Sequence, residues 1–144
     1  MKYEFDDEIA TVHGVTLRRI KALIDFSDVK KGDLGGFIES VDNLSQYGNS
    51  WVYHNAKVFG NAKLYGDAVA MHNAYIYGNA SVCENARVVG DAEVRDDADV
   101  HGNAIIRQAA SVSGAAEVFG NAVVDFDLGG NNAVWDEELS NYES

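Results

Sequence analysis

The chain has 144 residues, 47% of them apolar, and a formal net charge of −12. That is one domain's worth of chain, too apolar to be disordered, and its acidic balance excludes direct binding to a phosphate backbone, which needs clustered Lys and Arg. A single cysteine, Cys83, leaves no intrachain disulfide, and no apolar run reaches the ~18 residues a membrane span requires, so a cytoplasmic protein without a membrane partner is expected.

Residues 1–47 differ in kind from the rest of the chain. Met1 to Glu8 is acidic and has no apolar core segment of the kind a signal peptide carries. Ile9–Val12 and Val15–Ile20 read as strands joined by a two-residue turn at His13-Gly14. Leu17, Ile20 and Leu23 also fit helical spacing, so the periodicity alone leaves both open. Lys30-Lys31-Gly32-Asp33 and Gly35-Gly36 read as turns. The region is expected to be a small β cap and a first irregular coil, covering a sheet edge that would otherwise invite aggregation.

From Gly48 to Asp125 the chain is thirteen hexapeptides without an insertion. The first position is Gly in eight of them, the second Asn or Asp in eleven, the third Ala in twelve with Ser50 the exception, and the fifth aliphatic in all thirteen. The fourth to sixth residues form a short strand whose side chains alternate out, in, out. An aliphatic fifth residue therefore points inward, where β-branched side chains pack well. Gly followed by Asn or Asp makes a corner, because both tolerate positive φ. The residue re-entering the core after the corner must be small, hence Ala. A helix is excluded, since a period of six does not match 3.6 and Gly recurs too often.

After Asp125 the frame is lost. Residues 126–144 read as an acidic C-terminal cap, with a loop at Leu128-Gly129-Gly130-Asn131-Asn132 and a helix or strand from Ala133 to Tyr142.

Val58-Phe59-Gly60-Asn61-Ala62-Lys63 resembles the hexapeptide repeat of left-handed β-helices, in which three hexapeptides make one triangular coil. The leader Asp33-Leu34-Gly35-Gly36-Phe37-Ile38-Glu39-Ser40, then Asn43-Leu44-Ser45 and Gly48-Asn49-Ser50-Trp51-Val52, is similar to bacterial and phage repeat proteins of the YdcK type. The expected fold is all-β: a single-stranded left-handed β-helix of four to five coils with an N-terminal β cap. The second resemblance implies a bacterial host cell as the setting.

With three repeats to a coil, residues eighteen apart stack about 4.8 Å apart on one face. The first face carries Trp51, Val69, Arg87, Ile105 and Val123 beside Tyr53, Met71, Val89, Arg107 and Asp125, and seven of these ten are apolar. Such a patch marks an association surface, for a homodimer or homotrimer, or else is covered by the chain's own ends. The other faces mix charges and hydroxyls with aromatics.

Candidate chemistry is sparse. His54 and His72 replace corner Gly in successive coils and are the nearest thing to a metal pair, although Asn55 and Asn73 beside them are poor ligands. Asp91, Glu93, Asp96, Asp97 and Asp99 form the densest acidic stretch of the repeats, a candidate mimic of nucleic acid. Many β-helix proteins of the resembling family are acyltransferases with a His at a coil edge as general base. Here no loop is expelled from the coils to shape a cofactor pocket, and His54, His72 and His101 show no acid partner in the sequence. The expectation is a non-catalytic solenoid without a cofactor, binding a host protein or small ligand, with an anti-defence role suggested by the phage resemblance. An acyltransferase and a self-assembling scaffold are the alternatives.

Overall fold

The computed structural model describes residues 1–136. Strands β1 (Tyr3–Val12) and β2 (Val15–Ala22) form an antiparallel hairpin. Its turn residues, His13 and Gly14, both have positive φ (52° and 76°), the geometry a two-residue hairpin turn requires. Strand β3 (Leu34–Ile38) pairs antiparallel with β2 and parallel with β5 (Lys57–Val58), so the hairpin continues one wall of the solenoid edge to edge. The outer edge, β1, carries Glu4, Asp6, Asp7 and Glu8 and breaks register between Phe5 and Ile9. Charge and irregularity both discourage pairing with another chain at that edge.

The thirteen hexapeptides supply thirteen two-residue strands, from β4 (Trp51–Val52) to β16 (Val123–Val124). The first ten each pair in parallel with the strand three repeats on: Trp51 with Val69, Val58 with Ile76, Leu64 with Val82, and so on to Ile105 with Val123. Every third strand therefore falls in the same sheet, and three sheets of about five rungs enclose the core. This is the β-solenoid that the repeat predicts. The fifth-position residues and the third-position alanines are all buried. Ser50, the exception in the Ala column, is equally buried, and its hydroxyl and carbonyl accept hydrogen bonds from the Lys2 ammonium at 3.3 and 2.8 Å.

The left-handed backbone falls on the first position of the hexapeptide alone. Gly occupies it in eight repeats, and His54, His72, Glu84, Asp96 and Gln108 adopt φ between 57° and 61° in the rest. The second-position Asn and Asp are not in that region. They stack as ladders instead: Asn61 donates to Asn79, and Asn79 to Asp97, both at 3.2 Å.

At both ends the coil runs further than the unbroken repeat. Ile38 pairs with Val58 and Leu44 bridges to Leu64, giving a leading coil two residues longer than the rest. Asn43 clamps it, donating from Nδ2 to the carbonyls of Gly60 and Ala62 at 3.1 and 2.9 Å. Beyond Asp125, Leu128 bridges to Val112, and β17 (Ala133–Val134) pairs with Glu117–Val118. The expected cap from residue 126 is thus a coil two residues shorter, at least to Val134, and Ala133 begins a strand. The remainder of the expected segment, 137–144, lies outside the described residues. Among the described residues no helix is long and apolar enough to cross a membrane.

Candidate functional site

A group of three titratable side chains, Asp99, His101 and Glu117, lies on the wall built from Leu64, Val82, Val100 and Val118. Asp99 opens a two-residue strand, and His101 follows two places later on the same face. Glu117 is the direct partner of Asp99 on the next rung. The three therefore project together, and their ligand-type atoms all lie within 4.8 Å of one another. His101 Nε2 is 2.8 Å from Glu117 Oε2, and Nδ1 is 3.1 Å from Glu84 Oε1. The Phe119 ring stacks on the imidazole, with centroids 5.2 Å apart and planes 5° from parallel. Burial alone would push the imidazole's pKa down, but the bonds to Glu117 and Glu84 and the charge of Asp99 outweigh it, so His101 titrates above its ordinary value. Glu84 is held low, first by the Gly102 N–H and then by His101.

His101 thus has the acid partners that its sequence neighbours do not supply. They come from the rungs before and after it, seventeen and sixteen residues away, so only the stacking of coils brings them together. Both ring nitrogens face carboxylates, which suits a charged or ligand-holding imidazole better than a free general base.

The rings of His54 and His72 stack at 5.1 Å and 9°. Their Nδ1 atoms are occupied: His54 accepts from the His72 N–H and His72 from the Gly90 N–H, both at 3.1 Å. Glu84 and Asp96 do the same to Gly102 and Gly114 at 2.9 and 3.0 Å. At these corners a side chain that replaces Gly caps the N–H of the same corner one coil on. His54 and His72 are therefore structural, and no acid joins them in a cluster among the described residues.

The apolar first face divides in two. Trp51 is only 1% exposed, packed edge-on against Phe26 and Tyr3 of the chain's own cap at 5.2 and 6.2 Å. It is not available to a partner, because Gly35 lets the cap close over it: a Cβ there would sit 2.7 Å from the Trp51 ring. Tyr53 is tied to the cap too, its hydroxyl donating to Asp28 at 2.6 Å. Further along, Val69, Met71, Val89, Ile105 and Val123 are half-buried, with Arg87 exposed beside them. Arg107 pairs within the chain with Asp125 at 3.2 Å.

The acidic stretch does not form one surface. Asp91 accepts from Asn73 at one corner, Glu93 from Tyr77 on a wall, and Asp97 from Asn79 at another corner, while Asp99 stands with His101. The pKa of the Cys83 thiol is raised, chiefly by burial, which keeps it from being a ready nucleophile. A feature the repeat does not announce is a depression beside the irregular first coil. Val41, Tyr47 and Tyr65 there are exposed around Leu44 and Leu64, and Tyr47 is 84% exposed. Leu44 and Ser45 of its lining lie in the leader, whose place against the first coil depends on the two-residue lengthening.

Hexapeptide period, three-walled coil and corner rule together define a hexapeptide-repeat β-solenoid. No protein-family model matches the chain. Over 46 residues it is 46% identical to the protein described as uncharacterized acetyltransferase YdcK of Escherichia coli (strain K12). That stretch is 32% of this chain, and the chain covers 14% of the length of the relative.

Proposed function

We propose that the chain is a non-catalytic binding solenoid that associates with copies of itself through the first face and presents its other walls to a partner. The observation that carries this reading is the continuity of the first-face ladder. Its first rung, Trp51, is already a docking surface, occupied by the cap, and the same ladder runs on through Val69, Met71, Val89, Ile105 and Val123. Apolar and Met side chains with arginines at the rim are typical of protein contacts. Resemblance to phage-type repeat proteins suggests a host protein as partner, with sequestration as the mode of action and the host cytoplasm as the place.

Acyl transfer is the second reading, favoured by the local identity with a protein named as an acetyltransferase and by an imidazole flanked by carboxylates. Against it stands the placing of both His101 nitrogens against carboxylates of the chain itself, which turns neither toward a substrate. The two readings separate in one experiment. Replacing His54, His72 and His101 together with Ala should leave partner binding intact, and wild-type protein should not turn over acetyl-CoA. Measurable turnover that the triple variant loses while still folded would establish the enzyme.

A further inference from the structure

We propose that Asp99, His101 and Glu117 form a binding site for a divalent metal ion of the Zn²⁺, Co²⁺ or Mn²⁺ type, with Glu84 orienting the histidine. Asp99 and Glu117 are direct partners on adjacent parallel strands, where like charges repel and a cation between them would be favourable. With Glu84, three carboxylates surround one imidazole.

Two carboxylate oxygens and one imidazole nitrogen suit borderline divalent ions and leave positions open for water. The 2.8 Å between His101 Nε2 and Glu117 Oε2 is close to the roughly 3 Å that separates two ligands at right angles when each is about 2.1 Å from a metal. Metal-bound histidines habitually donate the other ring N–H to a carboxylate, which fixes the tautomer. Glu84 is in that position at Nδ1, and it is itself fixed by the Gly102 N–H. Stacking on Phe119 sets the ring plane, so Nε2 points toward Glu117 without further ordering. His54 and His72 have no carboxylate at Nδ1, since each commits that atom to a backbone N–H. The inference holds whether the solenoid is a binder or an enzyme.

The test is calorimetric titration of chelator-treated full-length chain with Zn²⁺, and with Co²⁺ followed by visible absorption. One ion should bind per chain, with Kd on the order of micromolar, and the melting temperature should rise with added metal. Glu117→Gln and Asp99→Asn should each weaken binding at least tenfold, and Glu84→Gln about tenfold or more. A His54→Gln, His72→Gln double variant should bind as the wild type does. These side chains lie on the outer surface, and circular dichroism of each variant verifies the coil. No binding by the wild type up to about 100-fold above that concentration would overturn the proposal, as would affinity unchanged by Glu117→Gln or lost in the His54/His72 variant.

Discussion

Lys2 inserts its ammonium against Ser50, the one residue that interrupts the column of alanines, and donates to its carbonyl at 2.8 Å and its hydroxyl at 3.3 Å. The Gly48 carbonyl takes a third bond at 3.3 Å. A buried ammonium needs acceptors, and a serine in place of alanine adds one where the cap meets the first coil. Lys2→Met should destabilise the chain by about 1–3 kcal/mol, because it leaves buried acceptors unpaired. Ser50→Ala should cost less, since two carbonyls remain. Urea midpoints of the two variants check the order.

The same lysine sets a pH dependence. Burial lowers its pKa to about 8, with Asp67 opposing the shift. Between that value and the ordinary 10.5 the unfolded chain holds a proton that the folded chain has released. Where the unfolded state binds more protons, stability rises with pH. The penalty is therefore fully present below about pH 8 and relieved as pH climbs above it. From about pH 7.5 to about 9.5 the wild type should gain stability relative to Lys2→Met, because His101 and Cys83, both raised, act alike in the two proteins. Measurement stops there because Tyr3, raised to about 12 chiefly by burial, acts in the opposite sense once unfolded tyrosines ionise.

Val94 is fully buried, stacked between Ile76 and Val112 inside one wall. Val94→Asp loses roughly 1.5–3 kcal/mol of burial and adds an uncompensated charge. The variant should melt at far lower temperature or fail to fold, as circular dichroism would show. An unchanged melting temperature would refute the register.

The corner rule makes a contrast at His72, where φ is 61°. His72→Gly relieves backbone strain while losing the bond to the Gly90 N–H, and the two should nearly cancel. His72→Val keeps the strain, loses the bond and places a β-branched residue where it is least tolerated, so it should be less stable than the Gly variant by about 1–3 kcal/mol. Thermal melts of the pair decide it, and equal stabilities would remove the strain argument.

The wall positions are legible in the sequence because each hexapeptide repeats one packing problem: Val94 and Ala98 are inside for the same reason as Ile76 and Ala80. The hairpin is legible from His13-Gly14, whose turn chemistry is local. Contacts that depend on small departures from the period are not. Leu44 and Leu128 sit in the wall only because the first coil gains two residues and the last loses two, which no local signal announces. Trp51 reads as an association residue because its rung is outward, yet Tyr3 and Phe26 reach it from far upstream in the chain. His101 reads as unpartnered for a similar reason: Glu84 and Glu117 are its neighbours only across coils.

The central claim, association through the first face, is tested most directly by multi-angle light scattering at tens of micromolar. The account predicts a wild-type mass of two or three times 15.6 kDa. It predicts a monomer for Val69→Glu combined with Ile105→Glu, with the melting temperature little changed, since both side chains point away from the core. A wild type that runs as a monomer at that concentration, or a double variant that stays associated, would contradict it.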